Sequence, residues 1–444
     1  MAIRAQGTRV LGVLRGPTGT TTLTNLLIVG SNAIGGIASA RALGPAGRGQ
    51  LTVVMLWSAV INVVGILGLP SACTYYAARW PERRAALVRF FTRAAAGQAL
   101  AATAVSAALL WWLQVRLHLP AILTVEYMTW AAGAEIGLYG MCYAQGISNF
   151  RYVNLIRAVS TAAPTIPLLA LVLLVRLTPS EAGAAYVIPN WIGAAIGYGL
   201  LRRSRGTGHV PAVTGPERRS IFSYSRRSLA SFSSLALNAN ADQMIIGILV
   251  PVGSLGLYSV AASASSPLPS FVTSISAVGL PTVAALNGRP QAAATWKTLG
   301  RALLPLAVLA PACALALPWL IPALYGPRYT AAIIPAELLL IGTAFTALTV
   351  VADDLLRAHG HPGFVSITQG AGAAVTIVGA LLLARRSLDA VAVFSSLGFV
   401  VAFLLAAVRL RMITRPEGRH GSPRARHAAG PVGARQRSRN LIGS

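Results

Sequence analysis

The sequence predicts an all-α polytopic membrane protein of about twelve transmembrane helices. Three observations predict it. Charge is sparse, with only 11% Asp, Glu, Lys and Arg against 55% hydrophobic residues in a chain of 444, whereas soluble domains carry about a quarter charged residues. The apolar residues gather in runs long enough to cross hydrocarbon, which takes about twenty residues at 1.5 Å rise each. Such runs must be helical, because no backbone group can be left unpaired in lipid. The basic residues fall between the runs and alternate in density. Assigned to alternate sides, 30 of the 37 Lys and Arg lie on one side and 7 on the other. One missed or invented span would scramble that bias, so it supports both the even count and the placement of both termini in the cytoplasm.

The elements follow in order. Arg4, Arg9 and Arg15 precede the first run, 21–43. Together they resemble a secretory leader with Ala38-Ser39-Ala40 as its cleavage site, but the run carries Ser31 and Asn32 at its middle and eleven more runs follow. An uncleaved first helix is expected. The run 51–76 comes after the turn Gly44-Pro45-Ala46-Gly47 and ends in a loop with five arginines between 79 and 93. Next come 94–113, closed by Trp111 and Trp112, and 122–145, which holds Glu135 near its middle. The runs 158–175 and 182–201 are flanked by Arg157 and Arg202. A second set follows at 229–249, 257–278, 302–324, 331–355, 364–383 and 391–407. Trp80, Trp111, Trp112, Trp296 and Trp319 lie near expected helix ends, as an interfacial aromatic belt requires.

The stretch Arg202 to Ser220 contains Gly206, Gly208, Pro211, Gly215 and Pro216 and divides the spans six and six. It reads as a linker between two lobes. An internal repeat agrees: Gly44-Pro45-Ala46-Gly47 and Gly68-Leu69-Pro70-Ser71 correspond to Pro251-Val252-Gly253 and Gly279-Leu280-Pro281-Thr282, at offsets of 206 and 211 residues. The expected organisation is a cytoplasmic N-terminus (1–20), a six-helix lobe (21–201), a cytoplasmic linker (202–228), a second six-helix lobe (229–410) and a disordered basic cytoplasmic tail (411–444). The tail's charge suits anionic membrane lipids, although a solvated terminus explains it as well.

A formal charge of +26 would suggest nucleic acid in a soluble protein. Here the cations sit between spans and in the tail, so no nucleic-acid partner is expected. Cys73, Cys142 and Cys313 have no metal-site or disulfide spacing, and His359-Gly360-His361 lacks a third ligand and reads as a loop. HExxH, G-x-S-x-G, Walker A and dinucleotide fingerprints are absent, so neither a cofactor nor enzymatic chemistry is expected. Without a P-loop, any work must draw on an ion gradient, the membrane potential or downhill flow.

An ionised carboxylate at mid-membrane costs roughly 2.5–3.5 kcal/mol on insertion scales, so buried acids ask for a reason. Glu135 lies within the fourth run and Asp242 in the seventh, while Glu126, Glu337, Asp353 and Asp354 are nearer helix ends. Asn238 and Asp242 are an i, i+4 pair on one face, which fits either a wet cavity or an interhelical hydrogen-bond cluster. Asn32 stands beside Gly30, Gly35 and Gly36, which also suit close helix packing. Arg157, and Arg226 with Arg227, lie at cytoplasmic helix ends where guanidinium forks suit phosphate oxygens, and where topology alone would also place them.

Three stretches carry a family resemblance: Ala40-Arg41-Ala42-Leu43-Gly44-Pro45-Ala46-Gly47-Arg48-Gly49, then Asp242-Gln243-Met244-Ile245-Ile246-Gly247 running to Gly256-Leu257-Tyr258-Ser259-Val260-Ala261, and Leu324-Tyr325-Gly326-Pro327-Arg328-Tyr329. With them, residues 20 to 410 resemble the oligosaccharide-flippase branch of the exporter superfamily that also contains the MATE drug antiporters and the lipid II flippases. The resemblance implies a MATE-like pair of six-helix lobes around a cavity that opens alternately to either side. It also implies a polyprenyl-pyrophosphate-linked oligosaccharide as cargo, flipped across the inner membrane for cell-surface polysaccharide assembly. A polysaccharide polymerase is the protein partner such a role calls for. On that reading Arg157 and Arg227 meet the pyrophosphate, Asn32, Asn238 and Asp242 line the cavity, and Asp242 and Glu135 are candidates for ion coupling. The rival readings are a MATE-like drug or cation antiporter driven by Na⁺ or H⁺, and a polyprenyl-sugar polymerase or acyltransferase, which the short outer loops disfavour.

Overall fold

The computed structural model describes residues 17–206, 211–269, 272, 279, 283–286 and 288–415. Among them the chain is helical and contains no strand. The helices are α1 (Pro17–Gly65), α2 (Leu69–Arg79), α3 (Arg84–Leu117), α4 (Ala121–Gly146), α5 (Phe150–Arg157), α6 (Thr165–Leu174) and α7 (Pro179–Arg203), then α8 (Gly215–Leu249), α9 (Val252–Ser265), α10 (Gly288–Tyr325), α11 (Ile333–Ala358), α12 (Pro362–Leu383) and α13 (Leu388–Thr414). Residues 1–16, most of the second repeat motif Gly279-Leu280-Pro281-Thr282 and the tail from 416 lie outside the described residues.

The described helices amount to about twelve crossings of a multi-pass membrane protein. Eight are long and apolar enough to span on those grounds alone. One of the eight, α1, makes two crossings, because Gly44 (φ 65°) breaks its helical path and Pro45 opens a second arm. The others are α4 and α8, which are richer in Gly and polar side chains, and the crossing that the 14 residues of α9 begin.

Two crossings are less regular than the apolar runs predict. The second arm of α1 stops at Gly65 and resumes as α2 after Gly68, whose φ of 70° turns the chain. The fifth crossing joins α5 to α6 through a π-helical turn, Ala158–Ala162, just ahead of Pro164, which has no N–H to donate. The inter-lobe stretch is also shorter than expected. α7 reaches Arg203 and α8 starts at Gly215, so the second half of 202–228 is helix. Glu217 favours that early start by accepting the Thr214 backbone N–H at 2.6 Å.

Within the first lobe α4 is the hub and packs most closely on α7 and α3. Gly133, Gly137 and Gly140 face α7, where a Cβ at Gly140 would run into the backbone of Gly197. Without a hydrophobic force between helices in lipid, such small-residue stripes let backbones close up and gain dispersion contact. In the second lobe α13 packs on α11 and α12, and α12 on α8. Large side chains such as Leu100, Leu173, Leu304 and Trp319 point outward, as lipid-facing positions do.

The lobes meet along two seams. At one, the second arm of α1 packs on α9 with reciprocal contacts: Gly49 lies against the Val252 carbonyl and Gly256 against the Pro45 carbonyl. Tyr329 Oη also donates to Ala40 O at 2.9 Å. Pro45 and Pro251 begin the two paired segments, so the joint is locally pseudo-symmetric. At the other seam Arg83 grips Glu217 through Nε (3.1 Å) and Nη2 (2.9 Å) and reaches Ala212 O at 3.2 Å. There Tyr76 Oη also bonds Ser220 Oγ at 2.7 Å, and the rings of Tyr75 and Tyr224 stack at 4.7 Å.

Candidate functional site: the cavity between the lobes

α8 carries Asn238 and Asp242 on one buried face, one helical turn apart. The second lobe supplies their partners from three other helices. Asp242 Oδ2 accepts from Tyr258 Oη (2.6 Å, α9) and Ser395 Oγ (2.8 Å, α13), and its Oδ1 from the Gln243 N–H at 2.7 Å. Asn238 Nδ2 donates to Gln369 Oε1 (2.7 Å, α12), and Gln369 Nε2 donates on to Asp353 Oδ2 (2.9 Å, α11). The result is two polar clusters in the lobe interior, one around Asp242 and one running from Asn238 through Gln369 to Asp353. A buried carboxylate that accepts three hydrogen bonds offsets much of its desolvation cost.

Both clusters border a cavity of about 550 Å³ between the lobes, to which Asp242, Gln369 and Ser395 contribute directly. Two hydroxyl stripes form its walls. Ser259, Ser263 and Ser266 run along and just beyond α9, and Thr343, Thr346 and Thr349 along α11, at helical spacing. Each hydroxyl donates to a carbonyl of its own chain, for example Ser263 Oγ to Ser259 O at 2.7 Å and Thr349 Oγ1 to Phe345 O at 2.8 Å. With the donor proton committed, the oxygen lone pairs are left to accept bonds from a guest. A second cavity of about 670 Å³ adjoins the first and shares Arg48, Met55, Trp130, Ser263 and Ser266 with it. The two are compartments of one cleft.

Arg48 is the one Arg or Lys lining either compartment among the described residues. Its Nη1 donates to Ser39 Oγ at 2.8 Å, and its buried Nε has no partner among the described residues. It forms no ion pair there either. The Gly44 break and the seam contact of Gly49 fix it in place: the new arm starts at Pro45 and its first turn aims Arg48 into the cleft.

The expected site residues divide. Asn32 lines the larger compartment and Asp242 the smaller. Asn238 is buried against Gln369 and does not line either compartment. Arg157 ends α5 half-buried and lines neither compartment. Arg227 lies on α8 at a position whose side chain falls outside the described residues. Glu135 is wholly buried in the first lobe, away from the cleft, with both carboxylate oxygens unpartnered among the described residues and one of them against Gly65. Arg48 was missed because it counts as an outer-loop cation in the charge bias. The signal that marks it is its place one turn after a Gly-Pro break. Among the described residues no group of His, Cys, Asp and Glu is arranged to hold a metal ion.

A family model described as a polysaccharide biosynthesis protein matches residues 199–334. No curated protein matches the sequence. Among solved structures, the chain is similar to an inward-facing MATE multidrug transporter of the MOP superfamily (TM-score 0.68, 12% identity, 87% of this chain and 96% of that one). It is also similar to the lipid II flippase MurJ in an inward closed conformation (TM-score 0.69, 11% identity, 88% and 87%). A MOP-superfamily transporter from Pyrococcus furiosus aligns over 90% of this chain and 98% of its own (TM-score 0.54, 11% identity). These neighbours are transporters and a flippase, not enzymes. The chain is therefore a multi-pass membrane protein with the MATE-like fold of the MOP-superfamily exporters.

Proposed function

We propose that the protein flips a polyprenyl-pyrophosphate-linked oligosaccharide across the inner membrane by alternating access, with both termini in the cytoplasm. The observation that carries this reading is the lining of the cleft: one ion-unpaired arginine beside two walls of hydroxyl and amide groups. A sugar headgroup presents many O–H donors, which the Ser and Thr lone pairs accept, while a pyrophosphate presents oxygens to which a guanidinium donates in a fork. The lipid tail needs no polar path and stays in hydrocarbon. The match of residues 199–334 to a polysaccharide biosynthesis family points the same way, and a polymerase of the glycan would be the downstream partner.

The test is transbilayer movement of a fluorescent polyprenyl-pyrophosphate disaccharide in proteoliposomes holding the full chain. Movement above that of protein-free vesicles is expected. Arg48→Ala should slow it on the order of tenfold or more, with Arg48→Lys intermediate because the charge remains and the fork is lost. Unchanged movement in Arg48→Ala would sink the assignment of the cation.

A cation antiporter is the second reading, favoured by the buried carboxylate of Asp242 on the cavity wall. It requires Na⁺- or H⁺-driven efflux of an organic cation dye that Asp242→Asn abolishes. Dye efflux without lipid movement would replace the first reading by the second.

A further inference from the structure

A separate cavity of about 460 Å³ lies at the membrane face that carries the inter-lobe linker. One wall is the first part of α3, where Ala86, Arg89, Phe90 and Arg93 recur at helical spacing on one face. The second wall is α8, with Arg218 and Phe222 one turn apart, and the roof is Pro211, Ala212 and Val213 of the linker. Three guanidinium groups thus converge on one hollow. Among the described residues neither Arg93 nor Arg218 has a carboxylate in ion-pair contact. The nearby Glu217 is occupied by Arg83.

The apolar part of the hollow is as specific as the charged part. Phe90 and Phe222 meet edge to face at 6.2 Å, and Phe222 is 53% exposed. Beyond Arg93 the same face of α3 continues through Gly97, which has open space where a side chain would be, to Leu100, which is 74% exposed. A cationic hollow at the interface therefore opens onto an apolar furrow running into the bilayer. A soluble phosphate would use only the first feature, whereas a phospholipid uses both.

We propose that this cavity binds the phosphodiester headgroup of an anionic membrane phospholipid, with an acyl chain laid along α3, so that one lipid bridges the first lobe to the start of the second. Phosphate oxygens meet the forks of Arg89, Arg93 and Arg218, and the bound lipid holds the linker beside the Arg83–Glu217 clasp. The site is distinct from the central cleft, shares no residue with it, and does not depend on the cargo.

The test uses the full chain purified in a neutral detergent. Dioleoyl-phosphatidylglycerol, dioleoyl-phosphatidylcholine and inorganic phosphate are titrated separately, with retained ligand read by native mass spectrometry and the melting temperature read alongside. Retention of phosphatidylglycerol with a raised melting temperature is expected, with little effect of phosphatidylcholine or phosphate. Arg93→Gln with Arg218→Gln should weaken retention by roughly fivefold for each arginine removed. The pair Arg385→Gln with Arg386→Gln, which removes equal charge at another loop, should leave it unchanged. Both positions in the test pair are exposed, so the variant should keep the monodisperse profile of the parent. Equal retention by the two pairs overturns the site, and stabilisation by inorganic phosphate equal to that by the lipid overturns the lipid as its ligand.

Discussion

Asp242 accepts hydrogen bonds from two hydroxyls on two different helices, and this sets what its replacement must cost. Asp242→Ala leaves Tyr258 Oη and Ser395 Oγ without a buried acceptor, at about 1–3 kcal/mol for each unpaired group. Asp242→Asn keeps an acceptor and loses less. Thermal melts of the purified variants should rank parent, Asn, Ala, and equal melting of Asn and Ala would contradict the hydrogen-bond account. The i, i+4 spacing of Asn238 and Asp242 was legible in the sequence because it is local. Their partners were not, because Gln369 is 131 residues from Asn238 and Ser395 is 153 from Asp242, and only folding brings them together. Arg48 shows the converse: its residue type and loop position were plain, but its direction depends on a break at Gly44 that hydropathy does not register.

At the scale of helices, the close contact of α4 and α7 rests on the absence of side chains. Gly140→Val places a branched group against the Gly197 backbone and should cost about 1–3 kcal/mol or more, seen as a lower melting temperature and poorer monodispersity. Gly97→Val on α3 faces open space and should be tolerated by the same measurements. The start of α8 offers a pH test. Hydrogen bonding from Arg83, with help from the Thr214 backbone, holds the Glu217 carboxyl below the usual carboxylate range. A depressed carboxyl contributes its stability above its unfolded pKa, about 4.3, and loses it as pH falls through the lower folded value. Amides within 211–217, read as protection factors against the intrinsic rate at each pH, should be protected at neutral pH and lose protection below about pH 4, and Glu217→Gln should show little protection throughout. Apolar periodicity located these helices well. It could not locate the interruption between Gly65 and Gly68 or the π turn at Ala158–Ala162, since both lie inside runs long and apolar enough to read as unbroken spans.

At the scale of the whole molecule, an even number of crossings puts the ends of the chain on one side of the membrane. Tags at either terminus should be reached from the same face in sealed vesicles, and opposite accessibility would rule out the twelve-crossing arrangement. The two-lobe plan was readable because charge bias integrates over the entire chain. The cleft was not, since it is defined by how two halves face each other. That facing has unequal chemistry on its two sides. Where Gly49 and Gly256 meet opposing carbonyls, attraction is short-ranged dispersion that dissolved ions do not touch. Where Arg83 holds Glu217, attraction between partly exposed charges is screened within about 3 Å at 1 M salt. Raising ionic strength should therefore loosen the Arg83–Glu217 seam and leave the glycine seam shut, making salt an external handle on how the two halves are held together.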